Sequence, residues 1–283
     1  MKKLIISFLL FTAFNAKGQE SFFRGNNNYV KPPAPPFQAP AIVQSGLILN
    51  LDAANPASYS GTGDTWTNLI SGNAVPSFTI NSGTYASNDG GVIRFPSSGG
   101  FASSSVGFSN LTSYTIELWV KIAGTRGDYD PSIAGNTNYT PCFFSERYAN
   151  GRINMVLAYN ARGLTGGTSN NSYRYEGAIY SNGWKNYQIA TNYGSDINNW
   201  VQIILTYDGS KLTIYRNGVS LGTSNALGVG SLYASSTGYY IAHRWDGSDG
   251  VYGDYSIVNM YNRALSLSEI TTNYNAVKTR FGL

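Results

Sequence analysis

Short runs in which apolar and polar residues alternate recur from Gly46 onward and are separated by turn-forming residues. A period of two places alternate side chains on opposite faces of a β-strand. The segment YTIELWVK divides in this way into one face with Tyr114, Ile116, Leu118 and Val120 and another with Thr115, Glu117, Trp119 and Lys121. We expect many short strands, with the rings of Trp119, Trp200 and Tyr261 in the framework of the sheets.

Three further strands are predicted in WVQIILTYDGSKLTIYRNGVSLGTS, joined by hairpin dipeptides at 208–209 and 217–218. The second hairpin overlaps a Gly-x-Ser-x-Gly motif centred on Ser220, which is the pattern of a hydrolase nucleophile elbow. An elbow needs an acid and then a His after the Ser. No Asp or Glu lies between Ser220 and His243, which is the only His of the chain. We therefore expect Ser220 to lie on a returning strand.

A capped helix is predicted at the C-terminus. Ser266 and Glu269 fit a capping box, and Gly282 follows the last helical residues. The apolar residues that recur at spacings of three and four are Leu267, Ile270, Tyr274 and Val277. The predicted fold class is all-β with one short C-terminal helix.

The N-terminal residues have the pattern of a secretory signal peptide. Lys2 and Lys3 precede an apolar run from Leu4 to Phe14, and small residues at 16 and 18 fit cleavage after Gly18. The predicted organisation is a signal peptide at 1–18, a Pro-rich linker or arm at 19–45 and a folded domain at 46–283. We expect a secreted, extracellular or cell-surface protein, with the periplasm as an alternative, and no transmembrane segment after signal cleavage.

The charge of the chain argues against nucleic acid as a partner. The 19 basic side chains include Lys2, Lys3 and Lys17 of the predicted signal peptide, so 16 remain against 15 acidic ones, a net charge of +1. Cys142 is the only Cys, so an exported chain would have no internal disulfide. The 32 Gly and 22 Tyr suit a turn-rich β domain.

Several segments together resemble a known family. They are GLILNLDAANPASYSGTGDTW, YTIELWVK, NNWVQIILTYDGSKLTIYRNG and GDYSIVNMYNRALSLSEITTNYNAVKTRFGL. They are similar to the laminin G-like jelly-roll domains of the concanavalin A-like lectin/glucanase superfamily, found in secreted bacterial and phage surface proteins. The resemblance implies a two-sheet antiparallel sandwich whose first and last strands are neighbours. The chain departs from the family at Ser256 and Ile257, where an acidic pair is common, and in an enlarged loop region at 124–199.

Related sandwiches include glucanases that carry two catalytic carboxylates on alternate residues of one strand. No such motif is present, because Trp119 stands where the Asp after Glu117 would be. We expect no enzymatic activity, with a polysaccharide-active enzyme of another design as a minor alternative. An Arg-Gly-Asp tripeptide at 126–128 is attributed to chance.

Metal binding is a candidate property of the Gly-rich segment DGSDGVYGD. Its acids Asp246, Asp249 and Asp254 offer hard oxygens suited to Ca²⁺, and solvated loop acids are the alternative interpretation. Asp52 is another candidate ligand if its strand lies beside the last one. Ca²⁺ is the only candidate cofactor.

Aromatic and polar residues that suit sugar recognition crowd two predicted loops. Flat rings cover pyranose faces while polar groups bind hydroxyls. The predicted ligand-binding residues are Tyr175, Trp184, Arg244, Trp245 and Asp246. The leading hypothesis is a secreted, non-catalytic carbohydrate-binding or adhesion module with glycan partners. The alternative is a structural subunit of a cell-surface assembly or virion, with protein partners.

Overall fold

The structure of the protein is a computed structural model that describes residues 40–109, 111–125, 141–146, 156–162, 171–180, 184–188, 194–228, 238–244 and 250–283. The predicted signal peptide and most of the predicted arm lie outside these residues. Among the described residues, no helix is long and apolar enough to cross a lipid bilayer.

The described residues contain sixteen strands and one α-helix. The strands are β1 (Leu47–Asp52), β2 (Thr65–Thr67), β3 (Ser77–Asn81), β4 (Thr84–Ala86), β5 (Val92–Phe95), β6 (Phe101–Ser103), β7 (Tyr114–Thr125), β8 (Cys142–Glu146), β9 (Val156–Arg162), β10 (Asn171–Tyr180), β11 (Trp184–Gln188), β12 (Trp200–Tyr207), β13 (Leu212–Arg216), β14 (Val219–Thr223), β15 (Tyr239–Ile241) and β16 (Val251–Tyr261). The helix α1 (Leu267–Val277) is followed by a 3₁₀ turn (Lys278–Phe281).

The strands form two antiparallel sheets that pack face to face. The back sheet has the order β14-β13-β12-β7-β16-β5-β4, with β1 also paired to β16, and the front sheet has the order β11-β10-β9-β8-β15-β6-β3-β2. The pairing of β1 with β16 confirms that the first and last strands are neighbours. This arrangement is a concanavalin A-like jelly-roll sandwich with a short C-terminal helix, which confirms the predicted fold class.

The inner faces of the two sheets form the main core. The predicted inner residues of β7, from Tyr114 to Val120, are all fully buried there. Gly177 of the front sheet faces Leu205 of the back sheet so closely that a Cβ atom at Gly177 would lie 2.4 Å from Leu205 Cδ1. The absence of a side chain at Gly177 therefore allows the sheets to approach at this point.

The C-terminal helix and its 3₁₀ turn cover part of the outer face of the back sheet. The Trp119 ring stacks on Tyr274 at a centroid distance of 5.8 Å and on Phe281 at 5.0 Å, and Trp200 packs on Phe281 at 4.2 Å. Trp119, Trp200 and Tyr261 are buried in this second core, which confirms their place in the framework. Both faces of β7 are therefore buried over this part of its length.

Glu117 lies fully buried beneath this helical cover. Its carboxylate accepts hydrogen bonds from Gln202 Nε2 and Asn273 Nδ2, both at 2.7 Å, and from Asn259 Nδ2 and Trp119 Nε1, both at 3.2 Å. Burial raises the pKa of Glu117 above its ordinary value, although these four hydrogen bonds oppose the shift. Because Asn273 is on the helix, the carboxylate joins the helix to the sheet.

The capping box at the start of α1 is confirmed. The Glu269 backbone N–H donates to Ser266 Oγ, and Ser266 N–H donates to Glu269 Oε2 at 2.9 Å. Arg263 donates twice to the Glu269 carboxylate, at 2.9 and 2.6 Å, and these bonds lower the pKa of Glu269 to about 2. The helix thus begins at a residue whose position is set by hydrogen bonds as well as by packing.

Two features of the middle of the chain bear on the sequence analysis. Ser220 lies on β14, directly after a turn in which Asn217 and Gly218 both have positive φ, so its predicted hairpin position is confirmed. The prediction of an enlarged loop at 124–199 was wrong in one respect. That stretch contains β8 to β11, which pair side by side and complete one half of the front sheet.

Candidate functional site

Three rings gather on the outer face of the front sheet, and we call them the front patch: Phe101, Tyr240 and His243. The Phe101 and His243 rings stack at 4.6 Å, and Tyr240 meets Phe101 edge-on at 5.5 Å. Phe101 and Tyr240 are half-buried, while His243 is only 8% exposed. Two rings therefore remain accessible above a buried third one.

The sheet register explains why these rings meet. On β6 and β15, Ala102 pairs with Ile241 and both side chains point into the core, so their neighbours Phe101 and Tyr240 point outward. Tyr240 is the cross-strand partner of Ser103 on one side and Ser145 on the other. Ser103 is half-buried beside the rings, whereas Ser145 is fully buried.

The turn after β15 holds His243 against Phe101. Ala242 has a φ of 62°, and its N–H donates to Phe143 O at 2.8 Å. Such a left-handed conformation costs a residue with a side chain roughly 1–2 kcal/mol. Gly250 packs against the same turn, because a Cβ atom there would lie 2.0 Å from Ala242 O. The hydroxyl of Ser145 donates to His243 O at 2.9 Å.

The predicted ligand-binding residues do not form one constellation. Arg244 is half-buried and directly follows the front patch, while Trp245 and Asp246 lie outside the described residues. Trp184 begins β11, at the far edge of the front sheet, and its side chain is not described. Three strands separate β11 from β15, which corresponds to about 19 Å between the two at usual strand spacing. Trp184 is therefore not a neighbour of Arg244.

Tyr175 is placed in the core, which corrects its predicted position on a ligand-binding loop. It belongs to β10, its side chain is fully buried, and its hydroxyl donates to Asp196 Oδ2. Arg216 of the back sheet also donates to the Asp196 carboxylate, from Nε at 2.8 Å and from Nη2. Tyr175 thus helps to join the two sheets, and its hydroxyl faces Asp196 instead of solvent.

The predicted metal ligands have different surroundings. Both carboxylate oxygens of Asp254 accept hydrogen bonds from Arg94, at 2.6 and 2.8 Å, and those of Asp52 accept from Arg280, at 2.9 and 3.1 Å. Asp246 and Asp249 lie outside the described residues. Within the part of the chain that the structure describes, no three acidic, His or Cys side chains are grouped as a metal site would require.

The front patch was missed by sequence reasoning, which considered His243 only as a possible partner of Ser220. Its two accessible rings come from segments about 140 residues apart. The available signal was the alternation in FAS and YYI, which predicts outward rings at Phe101 and Tyr240 once the two strands are known to be neighbours. That neighbourhood is a property of the sheet order.

Sequence comparison assigns the family. The sequence profile described as the concanavalin A-like lectin/glucanases superfamily matches residues 96–271, which is more than half of the chain and includes the front patch. The chain belongs to this superfamily. No curated protein matches it.

Solved structures show the same fold at low sequence identity. Domain 4 of AbnA, an extracellular arabinanase from Geobacillus stearothermophilus, has a TM-score of 0.59 at 15% identity, and the match covers 82% of this chain and 100% of that one. The binding domain of Paraclostridial Mosquitocidal Protein 1 has a TM-score of 0.55 at 14% identity, covering 81% of this chain and 52% of that one. Trypanosoma rangeli sialidase has a TM-score of 0.56 at 16% identity, covering 86% of this chain and 34% of that one. The chain thus corresponds to about half and a third of the last two structures.

Proposed function

We propose that this superfamily member is a secreted, non-catalytic carbohydrate-binding module that recognises glycans at the front patch. The observation that carries the proposal is the pair of accessible rings, Phe101 and Tyr240, on the outer face of the front sheet. Arg244 directly follows the third ring of the patch, His243, in sequence. Flat rings bind the C–H faces of sugars, and an adjacent Arg can donate hydrogen bonds to hydroxyl groups. Trp245 and Asp246, which follow Arg244 in sequence, stay predicted ligand-binding residues.

The similar structures support sugar recognition as the chemistry of the site. The arabinanase domain was solved in complex with arabinotriose, and the sialidase was solved in complex with sialic acid. Both proteins share only the fold with this chain, so they support the class of ligand and name no particular sugar.

The non-catalytic part of the proposal is supported by the surroundings of five of the described carboxylates. Asp52, Asp196, Asp254 and Glu269 are each ion-paired with an Arg, and Glu117 is enclosed beneath the helix. Most glycosidases need two carboxyl groups that face the substrate from the same cleft. The carboxylates of these five residues are occupied with holding the fold.

Glycan binding can be tested directly on the mature chain. A glycan array would identify a sugar, and calorimetry would then compare Phe101→Ala and Tyr240→Ala with the parent. Loss of either ring should weaken binding by about 1 to 3 kcal/mol, as at other aromatic binding hot spots. Trp245→Ala is expected to have a similar effect. The matched control is Tyr85→Ala, which removes a half-buried ring from the back sheet and should leave affinity unchanged.

Three outcomes would contradict the proposal. Full affinity in both Phe101→Ala and Tyr240→Ala would place the glycan elsewhere. Ordered oligomers without glycan binding would favour the structural-subunit hypothesis, and release of reducing sugar from a polysaccharide would show an enzyme. Export is tested separately. Mass spectrometry of the mature protein should find an N-terminus near Gln19.

A further inference from the structure

A cleft opens on the outer face of the back sheet, in a part that the helix does not cover. It has a volume of about 410 Å³, within the range of pockets that hold small molecules. Three neighbouring strands supply a row of charged residues across its floor, because Asp254 of β16 pairs in register with Arg94 of β5 on one side and with Lys121 of β7 on the other. We call this site the back cleft.

The charged side chains of the back cleft differ in whether they form ion pairs. The guanidinium of Arg94 binds both oxygens of Asp254, and this bidentate pair neutralises the one acid of the row. The side chain of Lys121 has no hydrogen bond or ion pair with any residue that the structure describes. The three side chains together have a charge of +1, located at Lys121. A ligand with a single negative charge would complement it.

The rim of the back cleft offers neutral polar groups beside apolar ones. Asn198 and Ser97 line it, and neither side chain has a hydrogen-bond partner among the described residues. Asn198 has a φ of 62°, and its N–H donates to Ile122 O at 2.7 Å, which holds its backbone against β7. Pro96 and Tyr252 supply apolar lining. This mixture suits a ligand with hydroxyl groups and C–H faces.

The backbone beneath the cleft is shaped by a bulge. The register of β16 against β7 shifts between Tyr252 and Gly253, and Gly253 has a φ of 147°. A Cβ atom at Gly253 would lie 2.1 Å from Lys121 O, so the strands can approach here only because this residue is Gly. The bulge lies between the row of charged residues and Tyr252. It therefore sets the position of Tyr252 relative to that row.

We propose that the back cleft binds a sugar that carries a carboxylate, such as a uronic acid. Lys121 is the charge partner of the carboxylate, the Arg94–Asp254 pair forms a fixed polar floor, and Asn198 and Ser97 bind hydroxyl groups. The site is separate from the front patch and is formed by the other sheet. It therefore goes beyond the proposed function and can be tested independently of it.

The experiment is an NMR titration of the ¹⁵N-labelled mature protein with sodium glucuronate. Methyl glucoside serves as the neutral comparator, and sodium sulfate serves as the anion without a sugar ring. We expect glucuronate to shift the amide signals of Lys121, Asn198 and Gly253 and to bind at least about tenfold more tightly than either comparator. Lys121→Gln should weaken glucuronate binding about tenfold, because a charge-assisted contact is lost. Lys121→Arg should retain binding.

The proposal is overturned by any of four results. They are unchanged back-cleft amide signals with glucuronate, equal affinity for methyl glucoside, equal affinity for sulfate, and full binding by a folded Lys121→Gln protein. Equal affinity for sulfate would reduce the site to a simple anion site.

Discussion

The outer faces of the two sheets show what a single helix changes in a sandwich. On the back sheet, the helix covers Trp119 and encloses Glu117, so the polar groups there must find partners inside the protein. On the front sheet, the rings of Phe101 and Tyr240 keep part of their surface in solvent. A covered face contributes stability through burial, whereas an open face can bind a ligand.

The largest expected effect comes from removing a ring of the covered face. Trp119→Ala should lower the free energy of unfolding by about 3 to 5 kcal/mol, because it empties a buried site and removes the stacking against Tyr274 and Phe281. Trp200→Ala should fall in the same range. Phe101→Ala is the matched variant of the open face and should cost clearly less. Equal losses for Trp119→Ala and Phe101→Ala in urea unfolding would remove the distinction between the two faces.

The next effect concerns the enclosed carboxylate. Glu117→Gln should cost about 1 to 3 kcal/mol at neutral pH, since one of the acceptor oxygens that serve buried N–H groups is replaced by a donor. Asp64→Asn, at an exposed acid, is the control and should have little effect. A Glu117→Gln protein as stable as the control would show that the network contributes nothing to holding the helix.

The same carboxylate has a predicted pH signature. Because the pKa of Glu117 is raised above its ordinary value of 4.5 in the folded protein, its contribution is fully present below pH 4.5 and is lost as the pH rises through the folded pKa. The difference in stability between parent and Glu117→Gln should therefore narrow above pH 4.5. Unfolding curves at several pH values would check this, and a difference that widens instead would show the opposite sign of shift.

A smaller loss of stability is expected at the start of the helical cover, at Glu269. Its pH dependence should be opposite to that of Glu117. The pKa of Glu269 is lowered to about 2, chiefly by its hydrogen bonds with Arg263, so its contribution is present above pH 4.5 and is lost as the pH falls through 2. The pair is partly exposed, and solvent screening limits Glu269→Gln to about 1 kcal/mol at neutral pH. Acid unfolding should show the parent approaching the variant in stability below pH 4.5. If the difference in stability between parent and Glu269→Gln stayed constant down to pH 2, the lowered pKa of Glu269 would be contradicted.

The smallest effect is expected at Ser220, which is exposed on the edge strand β14. Ser220→Ala should change the free energy of unfolding by less than about 0.5 kcal/mol, as surface substitutions usually do. A fluorophosphonate probe should leave Ser220 unlabelled because the residue follows a hairpin turn, and the described residues directly after it, up to 228, form no helix. Covalent labelling of Ser220 would mean that this edge is a reactive site after all.

Sequence alone was sufficient for features that depend on local geometry. The hairpin at 217–218 needs residues that tolerate positive φ, and the capping box needs Ser266 and Glu269 three residues apart, so both are visible within a few residues. The alternation along YTIELWVK likewise separated the inner face of β7 from its outer face. These are constraints of backbone sterics and short-range hydrogen bonding, and they act before any distant segment is in place.

The tertiary structure alone decided which of those faces are covered and which side chains meet. Alternation could not show that the Glu117 face lies beneath a helix 150 residues later, nor that Tyr175 lies inside the sandwich against Asp196. The rings of Phe101 and Tyr240 meet only because the sheet order makes β6 and β15 neighbours. Such contacts form when distant segments bury apolar surface together, and the period of two within each strand is the same whichever strand becomes its neighbour.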